Sequence, residues 1–299
     1  ALPLLDGPLK TSAAQALLTA YLNAGDMANA KKMLSQLPAD TPSTHFWKAL
    51  LSIHLNQLDE ALAAIQNEQN TASFLLKLTL KLAIQQQLSD SDLSTLEASA
   101  PAKLMSFVKA TIEAAKSNPT TAIAHLNNAQ NFITGFFAHG IDIKTLSHSQ
   151  SPAEFTYLPL AAFMNLLDFP RGAVAVLENA IKSNQNSFLA NYFMAIEYAR
   201  LKRRPEAIAA LQASLKDAPD FFSANYLLAE QYISQGDMVN ASQHYQQAAN
   251  TFPEASVLIK LGIIHERLNK PEKAANFYQQ FIDNNPDNYI GYNMLAWLY

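Results

Sequence analysis

Seven histidines, 25 acidic residues and no cysteine define the chemistry open to this 299-residue chain. Without cysteine there is no thiolate nucleophile, no disulfide and no thiolate zinc site. His139, Asp142 and His148 lie close together and are residue types that bind metals. Their spacing fits no standard zinc arrangement, so the stretch reads as a linker carrying exposed histidines. His45, His54 and His244 fall within or beside helical patterns and lack spaced partners. His265 takes a slot that tyrosine fills in neighbouring segments, which packing explains. Glu230 and Glu266 recur near equivalent positions, as carboxylates on a helical surface commonly do. No glycine-rich phosphate loop, Gly-x-Ser-x-Gly elbow or His-Glu-x-x-His pair is present. The expectation is a chain without catalysis: no catalytic residue, no metal and no cofactor.

Charge narrows the partners. The net charge is −4, and only 15% of residues are charged, against about 25% in average soluble domains. Lys202, Arg203 and Arg204 form the one basic run, placed as a solvated turn, so no nucleic-acid partner is expected. No apolar run approaches the roughly 20 residues that span a bilayer, and no membrane span is expected. The lack of cysteine is compatible with an oxidising compartment. The chain opens on Ala1 and stops at Tyr299 inside a helical pattern, which reads as a portion of a longer protein.

The elements that must carry any function repeat. Ala173, Ala207, Ala241 and Ala274 are 34, 34 and 33 positions apart. Ala161, Ala195, Ala229, Gly262 and Ala296 form a second ladder of the same period. Leu177, Leu211, Tyr245 and Tyr278 make a large-residue ladder, Tyr198, Tyr232, His265 and Tyr299 an aromatic one, and Pro219, Pro253 and Pro286 close successive units. Two amphipathic segments per period of about 34 describe stacked helix–turn–helix hairpins, with small residues where helices approach closely. The spacing predicts units 154–187, 188–221, 222–254 and 255–288, with a partial unit 289–299. Unit 154–187 is looser, with Met164 at the aromatic position and Pro159 predicted to kink or delay its first helix.

Residues 1–133 read as degenerate hairpins of the same kind. An extended lead-in is expected over 1–10. Hairpins follow over Leu17–Leu37, over Phe46–Ile65, and from Ala72 through Asp90–Ala98. A fourth joins Ala102–Ser117 to Thr120–Phe132. The turn Asn56-Gln57-Leu58-Asp59 reads as about two residues shorter than in the regular repeats. Residues 134–153 break the pattern: Ala122 and Ala173 are 51 positions apart, 17 more than one 34-residue repeat. This stretch is predicted as an irregular insert or linker.

At Leu-Leu-Ala-Glu-Gln-Tyr (227–232), Asn-Ala-Ser-Gln-His-Tyr-Gln-Gln-Ala (240–248) and Phe252-Pro253, the chain resembles the tetratricopeptide repeat (TPR) family. Leu261-Gly262 through Ala274, Tyr278 and Pro286 resembles it as closely. The resemblance implies an all-α, right-handed superhelical solenoid of TPR and TPR-like hairpins. It also implies a concave face lined by set positions of each first helix. Those positions are Leu189, Tyr192, Ile196 and Arg200 in one unit and Tyr226, Glu230 and Ile233 in the next. Ile259, Ile263, Glu266 and Arg267 follow, then Ile290, Asn293 and Trp297. Such a lining suits a peptide held by apolar and aromatic anchors. The alternative is that the superhelix curls and these residues partly pack on one another or on a missing C-terminal portion. Tyr192 and Ile196 stand where the family's chaperone-tail binders carry polar clamp residues, so that activity is not expected.

The implied function is a non-enzymatic scaffold for a protein or peptide partner, with self-association through the C-terminal helix a further expectation. Ala20-Tyr21-Leu22-Asn23-Ala24-Gly25-Asp26 is also similar to long bacterial TPR lipoproteins that accompany exosortase sorting and exopolysaccharide export. That likeness implies a periplasmic or cell-envelope location. The alternatives are a cytosolic assembly or regulatory scaffold, and the repeat region of a larger enzyme such as a glycosyltransferase.

Overall fold

The computed structural model describes residues 7–115 apart from 85 and 87, the short pieces 121–122 and 124–125, and residues 153–183 and 187–298. Among them every regular element is a helix. The insert with His139, Asp142 and His148, the helix expected over Thr120–Phe132 beyond its described pieces, the Ser151-Pro152 helix start and Gln185 lie outside the described residues.

The first half comprises α1 (Gly7–Ala24), α2 (Met27–Leu34), α3 (Pro42–His54), α4 (Leu58–Ala64), α5 (Thr71–Ala83), α6 (Asp90–Ser99) and α7 (Ala102–Ala115). Helix α1 begins at Gly7, so the expected extended lead-in does not reach residue 10; Pro8 suits a first helical turn, where its missing N–H costs nothing. The second half comprises α8 (Ala153–Thr156), α9 (Leu158–Leu166), α10 (Pro170–Ser183), α11 (Phe188–Arg200), α12 (Arg204–Asp217), α13 (Phe222–Ser234), α14 (Met238–Thr251), α15 (Ala255–Arg267), α16 (Pro271–Asn284) and α17 (Tyr289–Leu298). The break at Tyr157 and restart at Leu158 place Pro159 in a first turn, the late start its ring requires. From α9 onward, antiparallel pairs α9/α10, α11/α12, α13/α14 and α15/α16 stack in order, and α17 packs on α16.

One turn joins six of the hairpins. Gly25, Asn56, Asp168, Lys202, Gly236 and Asn269 all have φ between 56° and 79°. Each is followed by a residue whose N–H reaches back to a carbonyl five positions earlier, at Tyr21, Ser52, Met164, Tyr198, Tyr232 and His265, over 2.8–2.9 Å. This is the Schellman closure of a helix. In every case the left-handed residue stands five positions before a close-packed alanine: Ala30, Ala61, Ala173, Ala207, Ala241 or Ala274, none more than 1% exposed. The expected short turn at Asn56 is therefore wrong. Three residues separate α3 from α4, as they separate α15 from α16; the position is read correctly once Asn56 is aligned with Asn269.

The two halves are not one uninterrupted stack. The first helices of the N-terminal hairpins, α1, α3, α5 and α7, all pack against the α9/α10 hairpin: α1 and α3 on α10, α5 and α7 on α9. Edge-on contacts of Phe169 with Trp47 (6.2 Å) and His54 (5.5 Å) belong to this seam. So do bonds from Arg171 Nε to the Asn23 carbonyl (2.8 Å) and from Thr111 Oγ1 to the Phe155 carbonyl (2.9 Å). Gly172 allows the approach, since a Cβ there would lie 2.2 Å from Met164 Cε and 2.9 Å from His54 Cε1. The apolar core accordingly runs continuously from Ala14 to Leu228, and a second core runs from Phe222 to Ile282. The two cores meet within α13.

Candidate partner-binding face

The sequence-implied lining divides into a filled half and an open half. On α11, Leu189 and Tyr192 are fully buried and Ile196 is 1% exposed. Tyr192 packs on Phe221 (4.8 Å) and Phe193 (5.6 Å), and Phe193 in turn meets Phe107 of α7 at 6.1 Å. These three residues are core, which corrects the expectation that they contact a partner. Burial pushes the Tyr192 phenol far above its ordinary range. Arg200 is half-buried and committed, with Nη2 on Asp168 (2.7 Å) and Nη1 on Glu197 (2.9 Å). Glu197 also accepts from Asn165 Nδ2 at 2.6 Å. Burial raises its carboxyl pKa, opposed by Arg200 and Asn165. The family's position rule does not expose these side chains here, and Phe221 and Phe193 enclose Tyr192.

On α13 and α15 the same positions reach solvent. Tyr226, Glu230, Ile233, Ile259 and Ile263 are half-buried, and Glu266 and Arg267 are exposed. On α17, Ile290 is 38% and Trp297 90% exposed, and Asn293 is exposed. Apolar side chains thus continue across three successive first helices.

Beneath this stripe lies a polar cluster that the sequence reading did not assemble. Lys260 Nζ donates to the Tyr226 hydroxyl (2.7 Å) and pairs with Glu230. It sits 4.7 Å from the Tyr226 ring centre and 5.5 Å from that of Tyr245, within cation–π range. The Tyr245 hydroxyl donates to Glu230, and one repeat later Tyr278 donates to Glu266. Burial, then Glu230, raises the Tyr245 phenol. Burial pulls Lys260 down, but Glu230 and Tyr226 outweigh it and the ammonium pKa rises. The cluster ties α13, α14 and α15 together and fixes the floor of the stripe. A signal for it existed: Tyr226 and Lys260 are one 34-residue period apart.

Both carboxylates are committed to tyrosines or lysine. Among the described residues no three His, Asp or Glu side chains could hold a metal together.

Two family models described as tetratricopeptide repeat match the chain, one over residues 192–256 and one over 256–288. Residues 192–288 are tetratricopeptide repeats. The TPR matches begin inside α11 and end after α16, taking in the whole polar cluster. No curated protein matches the chain. Among solved structures, a MamA crystal structure is 17% identical with a TM-score of 0.40, over 61% of this chain and 91% of its own. MamA 41-end from Desulfovibrio magneticus RS-1 is 19% identical with a TM-score of 0.39, over 63% and 99%. YrrB, described as a TPR protein with an unusual peptide-binding site, is 14% identical with a TM-score of 0.40, over 67% and 95%.

Proposed function

We propose that this chain is a non-enzymatic scaffold that holds a peptide segment of a partner protein along the inner face of α13, α15 and α17. One observation carries the reading: Tyr226, Ile233, Ile259, Ile263, Ile290 and Trp297 keep apolar surface accessible on three successive first helices. Arg267 and Glu266 flank them as exposed charges. Apolar anchors in a groove with polar edges are the arrangement from which peptide affinity arises. The polar cluster holds Tyr226 in one position, which limits the ordering cost of binding.

A random peptide library displayed on phage tests this. The intact chain should enrich sequences with spaced apolar anchors, and Ile259→Ser/Ile263→Ser, with helicity confirmed by circular dichroism, should lose them. No enrichment, or the same enrichment from both proteins, would overturn the reading. Self-association through α17 is the rival use of Trp297 and appears as a concentration-dependent mass in sedimentation.

The setting we favour is the bacterial cell envelope, in exopolysaccharide assembly. The likeness of residues 20–26 to TPR lipoproteins, the absence of cysteine and the low charge support it. No helix among the described residues is long and apolar enough to cross a membrane. Fractionation of the producing cells tests the location, and recovery in the cytosol would contradict it.

A further inference from the structure

The seam between the N-terminal hairpins and α9/α10 contains a group that can open it. His54, at the end of α3, places Nδ1 2.7 Å from the Leu50 carbonyl. A carbonyl only accepts, so Nδ1 carries the proton and Nε2 is left with a lone pair. That Nε2 is buried and has no partner. It faces the main chain of Gly172, where a Cβ would stand 3.1 Å away, beside Met164 Cε. The face of the seam also holds a second buried acceptor without a partner, Asn23 Oδ1. Of the three such atoms among the described residues, these two lie in the seam.

No carboxylate acts on the His54 ring, although Glu178 lines the same cavity. Arg171 of α10 is the charge that acts on His54, and it is repulsive. Glu178, two turns further along α10, is exposed, and Arg203 is held by Glu206 at 2.8 Å. Asp168 in the α9–α10 turn is held by Arg200, and Asp26 in the α1–α2 turn by Asn29. On the other neighbours of α3, Lys31 and Lys32 of α2 and Asp59 and Glu60 of α4 point to solvent. A cavity of about 250 Å³ lined by His54, Arg171, Glu178 and Arg203 gives water a path to the ring.

We propose that the seam is an acid-sensitive latch, closed while α9/α10 occupies the inner face of α1, α3, α5 and α7, and released when His54 takes up a second proton. A protonated Nε2 would meet no protein acceptor beside Gly172, so charging the ring disfavours the closed seam. Release would open a helical socket on the N-terminal half that is occupied at neutral pH. Burial holds the His54 pKa below its ordinary 6.5, opposed by the Leu50 hydrogen bond and reinforced by repulsion from Arg171. The open form therefore binds more protons than the closed one. The closed form is fully favoured above 6.5 and loses ground as pH falls below it.

Hydrogen exchange of the full chain tests the latch, with α14 as internal reference and rates corrected for intrinsic pH dependence. From about pH 7.5 to about pH 5.5, the opening constant of α3 and α10 should rise as much as about tenfold. In His54→Gln, which cannot be charged, that rise should vanish. An unchanged seam on acidification, or the same rise in the variant, overturns the proposal. If the variant fails to fold, NMR titration of the wild-type imidazole decides. A His54 midpoint below 6.5 that coincides with loss of protection in α10 supports the latch. A midpoint at or above 6.5 with α10 still protected overturns it.

Discussion

Small residues at the helix crossings decide how closely the hairpins pack. Ala207 is 1% exposed and Ala241 and Ala274 are fully buried, so each presents its methyl directly to the opposing helix. Gly262 replaces alanine where Tyr278 leaves no space: a Cβ would lie 2.1 Å from Tyr278 Cε1. Ala207→Leu is expected to overpack its crossing and cost about 1–3 kcal/mol in urea denaturation. Titration acts at this scale too. Burial lowers the pKa of His244, and burial followed by Lys273 and Lys270 lowers that of His265. Both groups bind more protons unfolded, so stability is complete above 6.5 and declines as pH falls below it. His265→Tyr, which restores the ladder residue found at 198 and 232, should flatten that decline in urea melts across the acid range. An unchanged pH slope would show that His265 does not contribute.

At the scale of elements, the hairpin turn is the unit that recurs most faithfully. Gly236 sits at φ 78° with nothing within 4 Å of a Cβ, so Gly236→Ala introduces backbone strain without a clash. The expected loss is about 1–2 kcal/mol, the cost of placing a side-chain-bearing residue in the left-handed region, read from the urea midpoint. Lys202→Gly, at φ 58°, should move that midpoint the opposite way. Helices, order and alanine burial were legible in the sequence because each follows from local periodicity. The shared left-handed position was not, because glycine, asparagine, aspartate and lysine all fill it and no single residue type marks it. The face of α11 was misread for a different reason. Its positions obey the family spacing, but Tyr192 is enclosed by Phe221 and Phe193, and Phe193 meets Phe107, a contact far away in sequence that no spacing shows. The Lys260 cluster was half visible, since Tyr226 and Lys260 keep the period while the pairing with Glu230 does not.

For the whole molecule, the inner-face positions divide between a filled helix and open ones. Those of α11 are packed into the core, and those of α13, α15 and α17 reach solvent. The chain has no cysteine, so single cysteines report each face without background. Ile196→Cys and Ile263→Cys should be compared for their rates of thiol alkylation in the folded protein, with and without a peptide selected by the intact chain. The account predicts fast alkylation at 263 that the peptide suppresses, and slow alkylation at 196 that the peptide does not change. Equal rates at the two sites, or protection at 196 and not at 263, would contradict it.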